Sequence, residues 1–201
     1  MAIRKNLKRG FTLIELMIVV AIVGVLSVLA IYGVNKYLTN AKTAEAKNGV
    51  GNMAKAAVAA FDVERAAAPT GGPTEGATSS VNHYLCVQAA DNKVPRAIAD
   101  VTGKKYQSSK ADWMGAATKP ADEDFKCLKF EMTGGQFYQF EYSSSVKATP
   151  TTADQKDTTF TAIANGDLDG NGTASKFSLD GKVINSRVVL NTSITEDKPE
   201  E

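Results

Sequence analysis

The sequence is poor in the residues that build reactive sites. Its 201 residues include two cysteines, Cys86 and Cys127, one histidine, His83, and one tryptophan, Trp113. There is no CxxC pair, so a zinc site lacks the ligands it needs. His83 has no GxSxG or HExxH around it, and no GxxxxGK[ST] phosphate loop occurs. The expectation is a chain that is not an enzyme and does not power any process by itself. Net charge is also missing. With 23 basic and 22 acidic side chains the formal charge is +1, so no global field attracts nucleic acid or an anionic membrane. The remaining composition is ordinary, with 43% hydrophobic residues. Function must come from local features.

The strongest local feature is at the start. Residues 1–10 read MAIRKNLKRG, a leader whose charges, Arg4, Lys5, Lys8 and Arg9, are all basic. Residues 11–31 read FTLIELMIVVAIVGVLSVLAI, an apolar run long enough to cross about 30 Å of bilayer as a helix. The basic flank should stay cytoplasmic, which puts the rest of the chain on the far side of that membrane. Such a run fits a secretory signal, and Val28-Leu29-Ala30 resembles a small-x-small cleavage site. It also fits a plain anchor helix.

Glu15 fits neither well. A carboxylate within the hydrocarbon costs about 2–3 kcal/mol and normally has a partner. No Lys, Arg or His lies between Phe11 and Ile31. Cleavage between Gly10 and Phe11 would create one, an α-amino group on Phe11 that Glu15 of a neighbouring copy could meet. Gly10-Phe11-Thr12-Leu13-Ile14-Glu15-Leu16, with the basic leader before it and the unbroken apolar run after it, resembles the processing site of type IV pilins and type II secretion pseudopilins. The resemblance covers about residues 4–31. It implies cutting after Gly10 by a prepilin peptidase, N-methylation of Phe11, and Glu15 as the assembly glutamate. Family members often carry proline where this chain has Tyr32, ahead of Gly33. Local melting of the helix in a filament is therefore less supported here.

Residues 32–65 stay helical in pattern. Val50, Met53, Ala54, Ala57, Val58 and Phe61 form one apolar stripe. Lys42, Lys47, Asn48, Asn52, Lys55, Asp62 and Arg65 occupy the other faces, while Gly49 and Gly51 weaken the helix locally. One stalk from Phe11 to about Arg65 is expected, or two helices broken near Gly33.

The expected head is a loop-rich connector over 66–125, an antiparallel sheet over 126–195 and an acidic tail over 196–201. His83–Val87 reads as a short strand, and Trp113 as a core residue. Lys126–Thr133 and Gln136–Ser143, joined by Gly134-Gly135, read as a hairpin. Thr158–Ala164, Ala174–Leu179 and Val183–Leu190 read as further strands, with a turn at Asp180-Gly181-Lys182. The class is α+β. The resemblance implies the pilin fold, a long N-terminal helix packed on an antiparallel sheet. Cys86 and Cys127 are either one disulfide or two buried thiols. Export favours the disulfide, which would close a 41-residue separation.

Asp167-Leu168-Asp169-Gly170-Asn171-Gly172 follows the first half of a calcium loop, with Asp167, Asp169 and Asn171 as oxygen donors. Ser178 stands where the closing glutamate belongs. Two readings remain, a backbone turn or a structural calcium site, and no other cofactor is expected.

Three classes of function follow. One is a structural subunit of a type IV pilus for adhesion and twitching-type motility or DNA uptake. Its partners would be identical copies, the peptidase and an inner-membrane assembly platform with a separate ATPase. A second is a type II secretion pseudopilin. The third is a membrane-anchored binding module, for which Lys104, Lys105 and Lys110 near Tyr106 and Trp113 offer a small basic-aromatic cluster.

Overall fold

In the computed structural model, one helix, α1, runs from Leu13 to Asp62. The structure describes residues 10–63, 65–66, 81–89, 92–116, 119–146 and 157–199. The basic leader before Gly10, most of the 66–80 loop and most of the polar loop after Ser144 lie outside these residues. The helix passes Tyr32 and Gly33 without a break. Alanine is frequent along its second half and proline is absent, which outweighs the local weakening by Gly33, Gly49 and Gly51.

The chain divides into two compact units between Asn40 and Ala41. In the first unit, every side chain from Gly10 to Leu38 is exposed. In the second, α1 buries Thr43, Ala46, Gly49, Val50, Met53, Ala54, Ala57, Ala60 and Phe61. Val58, expected in the stripe, is half-buried at its margin. Burying a Val, Met or Phe is worth about 1.5–3 kcal/mol each, so this stripe fixes which face of the helix meets the head.

The connector contains short elements. These are β1 (Arg65–Ala66), β2 (Val81–Asn82), β3 (Lys93–Val94), β4 (Tyr106–Gln107), α2 (Lys110–Met114), α3 (Asp124–Leu128) and β5 (Gly135–Gln136). The main strands follow as β6 (Gln139–Ser144), β7 (Thr159–Gly166), β8 (Ser175–Ile184), β9 (Arg187–Leu190) and β10 (Thr195–Asp197). The principal sheet has the order β10-β8-β7-β6-β3, with β9 also on β8, and its pairs are antiparallel. A long helix packed on an antiparallel sheet is the expected α+β, pilin-like arrangement.

Several local expectations are corrected. Residues 126–133 are not the first strand of a hairpin; Asp124–Leu128 is a helical turn. Phe125, Cys127, Leu128 and Phe130 are all buried, but a short apolar run does not by itself separate strand from helix. His83–Val87 is not a strand either, and only Val87 makes an isolated bridge, to Glu123. The turn expected at Asp180-Gly181-Lys182 is the middle of β8. The chain reverses instead at Asn185-Ser186, both at positive φ (50° and 58°), the backbone that a tight two-residue hairpin turn requires. Residues 195–197 of the supposed sheet end and tail form β10 on β8.

Gly181 has a packing reason. A Cβ there would lie 2.3 Å from the ring of Phe160, its cross-strand partner. Gly166 is tight in the same way, 2.5 Å from the ring of Tyr138. Both glycines accommodate a core aromatic ring.

Trp113 is the centre of the aromatic core. Its ring stands edge-on to Phe125 at 5.0 Å and to Phe130 at 5.4 Å. Its Nε1–H donates to Ser108 Oγ at 2.9 Å, so the indole is buried with its polar atom satisfied.

Candidate functional site

The N-terminal segment is built around Thr12 and Glu15. Thr12 precedes the first helical residue. Its backbone N–H donates to Glu15 Oε2 at 2.9 Å and its hydroxyl to the same oxygen at 2.7 Å. The Glu15 N–H donates back to Thr12 Oγ1 at 3.3 Å. This is a capping box, Thr-x-x-Glu, which satisfies amides that helix geometry leaves orphaned. The carboxylate also sits where the helix dipole favours negative charge. Reading the segment for cationic partners alone overlooks Thr12, although the four-residue pattern is plain in the sequence. Among the described residues Glu15 thus has hydrogen-bond donors within its own chain, but no positive charge beside it. Among the described residues, Oε1 has no hydrogen-bond partner.

Gly10 and Phe11 lie ahead of the helix and are exposed, Phe11 at 84%. Along the helix that follows, an 18-residue window has mean hydropathy 2.8 and none of it is buried. The helix is long and apolar enough to cross a membrane. Ser27, polar within that run, donates its hydroxyl to Val23 O at 2.7 Å and leaves no unsatisfied proton.

Cys86 and Cys127 are joined as a disulfide, with Cα atoms 5.8 Å apart. The bond fastens the connector to α3, not to a hairpin strand. Nearby, fully buried Asp124 accepts from Ala89 N at 2.8 Å and pairs with Lys119 Nζ at 3.0 Å. Covalent and ionic ties therefore converge on the same turn.

The Asp-Gly loop between β7 and β8 is wired to itself. Asp167, 3% exposed, accepts from Gly170 N at 2.8 Å through Oδ1 and from Gly172 N at 3.1 Å through Oδ2. Asp169 accepts from Asn171 N and Nδ2, and Asn171 Oδ1 accepts from Thr173 N at 2.7 Å. The three expected metal donors thus serve backbone amides, as Asx turns do. Among the described residues no group of three or more His, Cys, Asp or Glu is placed to hold a metal.

The basic-aromatic cluster does not form a stacking platform. Trp113 is 1% exposed, and the Tyr106 hydroxyl donates to Asp112 Oδ2 at 3.2 Å. Burial and the Asp112 charge push the Tyr106 phenol up, while the Ser109 amide holds the Asp112 carboxyl below its usual range. Lys105 instead lies over the Phe137 ring, 5.3 Å from its centroid, and Lys42 approaches the same ring at 4.7 Å. A cleft of about 660 Å³ beside Tyr106 is lined by Lys93, Arg96, Asp100, Asp112, Lys119 and Glu123 among others. It mixes both signs of charge, and Lys93 and Lys119 are paired with Glu141 and Asp124.

Comparison with known proteins fits this geometry. Residues 5–31 match the family model for the prokaryotic N-terminal methylation motif. Fimbrial protein EcpC of Eikenella corrodens is 36% identical over 78 residues, 39% of this chain and 50% of that protein. Type IV major fimbrial protein FimA of Dichelobacter nodosus is 56% identical over 41 residues, 20% of this chain and 26% of that one. The chain spans half or less of the length of these curated relatives. No solved structure matches it significantly. Its N-terminal segment matches the methylation motif and is similar to type IV fimbrial proteins.

Proposed function

We propose that this chain is a structural subunit of a type IV pilus, held in the inner membrane as a precursor and polymerised through its N-terminal helix. The observation that carries the reading is a coincidence. The methylation motif at residues 5–31 falls on a helix start whose apolar side chains are exposed from Phe11 to Leu38. So large an apolar flank requires a bilayer or the flanks of other helices.

A prepilin peptidase removes the leader between Gly10 and Phe11 and methylates the new amino group. That amine supplies a positive charge for Glu15. Thr12 occupies Oε2 of the carboxylate, which leaves Oε1 for the Phe11 amine of a neighbouring copy. Assembly moves the helix from lipid to a bundle of its own kind, driven by an inner-membrane platform with a separate ATPase. The heads face outward, and the fibre serves surface attachment, retraction-driven motility or DNA uptake.

Mass spectrometry of fibres sheared from cells tests the reading. The expected chain begins at N-methylated Phe11. Glu15→Ala and Glu15→Gln should both be inserted and cleaved yet give no fibres. Abundant fibres from either variant would rule out the charge pairing, and a mature chain retaining Met1 or Ala2 would rule out the pilin reading.

A further inference from the structure

Two Asn-x-Ser/Thr triplets occur in the sequence, Asn171-Gly172-Thr173 and Asn191-Thr192-Ser193. Such triplets are glycan acceptors only on an exported, accessible loop. The two stand in different surroundings.

Asn191 is held against the sheet. Its backbone N–H donates to Asp180 O at 2.9 Å, and its Nδ2 donates to Asp180 Oδ2 at 3.3 Å. It sits between β9 and β10, both paired to β8. A transferase would have to peel this edge to draw the acceptor into its own site.

Asn171 lies within the turn between β7 and β8, and it is exposed. Its backbone N–H and Nδ2 donate to Asp169, and its Oδ1 accepts from Thr173 N, both partners lying in the same loop. The flanking residues Gly170 and Gly172 have positive φ, 77° and 88°, and carry no side chain to block approach. A Cβ built at Gly172 would meet nothing within 4 Å. The Asn171 Oδ1 contact to Thr173 N, 2.7 Å, closes an Asx turn that brings the first and third members of the triplet together. Buried Asp167 anchors the loop from below, so the turn is set before any enzyme arrives.

We propose that Asn171 is an N-glycan acceptor on the exported head. In the transfer, the Asn171 amide nitrogen attacks the anomeric carbon of a sugar carried on a polyprenyl diphosphate. The C–N bond forms as the anomeric C–O bond breaks. The diphosphate leaves with the electron pair, and a basic group of the transferase takes the amide proton. Asp169, whose Oδ2 accepts from Asn171 Nδ2 at 2.8 Å, is a positioning residue that orients the amide before capture. The glycan would project from the side of the head that carries the β7–β8 turn. This inference rests on the export of the head in the reading above.

Tryptic peptide mapping of the mature chain from its native producer separates the two claims. The peptides Asp157–Lys176 and Val188–Glu201 report on Asn171 and Asn191 separately. A sugar mass is expected on the first and not on the second. Asn171→Gln and Thr173→Ala should each remove it, and Thr173→Ser should retain it. A bare Asp157–Lys176 peptide on chains that begin at Phe11 would overturn the glycan site and leave the pilin reading standing. A mass that survives Asn171→Gln would overturn it as well, because the sugar would then sit on a hydroxyl. Chains that keep their leader would overturn the export reading and the acceptor site with it.

Discussion

Gly49 lies directly beneath the ring of Phe140, and a Cβ at this helix position would stand 2.3 Å from a ring carbon. Phe140 is fully buried, so its ring has little room to yield. Glycine weakens a helix, but here its bare backbone sets how closely α1 meets β6. Gly49→Ala should therefore destabilise. Overpacking costs about 1–3 kcal/mol, against a helix-propensity gain of about 1 kcal/mol. Two residues on, Gly51 has nothing within 4 Å. Gly51→Ala should stabilise by up to about 1 kcal/mol. Denaturant unfolding of the detergent-solubilised chain compares them, and equal effects from the two changes would refute the packing argument.

The disulfide predicts a larger loss. Replacing Cys86 and Cys127 by serine removes a tie across 41 residues. The chain-entropy account sets the loss at about 4 kcal/mol. The midpoint of denaturant unfolding should fall accordingly, with connector amides near Val87 and Ala89 losing hydrogen-exchange protection before those of β7. Uniform loss across both regions would mean that the bond does not act locally on the connector.

For the Asp-Gly loop, the anchor is Asp167. Asp167→Ala leaves the Gly170 and Gly172 amides without their acceptor, at a cost of about 1–3 kcal/mol. Asp167→Asn retains one acceptor oxygen and should cost less. Millimolar calcium should leave the melting temperature unchanged. A calcium-dependent rise that Asp169→Ala abolishes would favour the metal reading over the turn.

Glu45 predicts a pH effect of unusual sign for a carboxylate. Burial pushes its pKa above the ordinary value of 4.5, and the Phe137 amide and Lys105 oppose that shift. The folded chain therefore holds this proton more tightly than the unfolded chain does. The resulting stabilisation is present below 4.5 and is lost as pH rises through the raised folded value. Glu45→Gln keeps an acceptor for Phe137 N, which lies 2.8 Å from the carboxylate. It should raise stability at neutral pH and flatten that part of the pH profile. A profile identical to that of the parent chain would exclude Glu45 as its source.

Much of this was legible from periodicity alone. Val50, Met53, Ala54, Ala57 and Phe61 are buried as their spacing requires, because a helix against a sheet leaves a strong 3.6-residue imprint. Glu15 stands out because its cost in hydrocarbon is large, whereas Thr12 carries no charge and signals only as the first member of a Thr-x-x-Glu box. The connector resisted reading for another reason. Phe125 and Cys127 are held by long-range contacts to Trp113 and Cys86, which short-range patterns do not encode. Gly181 misled in a third way. A glycine between polar neighbours suggests a turn, while its actual role is to make space for Phe160 across the strand.

The end of the chain returns to the helix on which the head is built. Glu196 of β10 pairs with Lys47 at 2.8 Å, and Pro199 O accepts from Thr43 Oγ1 at 3.4 Å. Strand β10 is in turn stitched to β8. If the subunit is pulled by this helix, as a retracting fibre would pull it, tension entering near Thr43 and Lys47 passes at once into the sheet. The last residues would share the load with the apolar stripe, and trimming them should lower the force at which the head comes off its stalk.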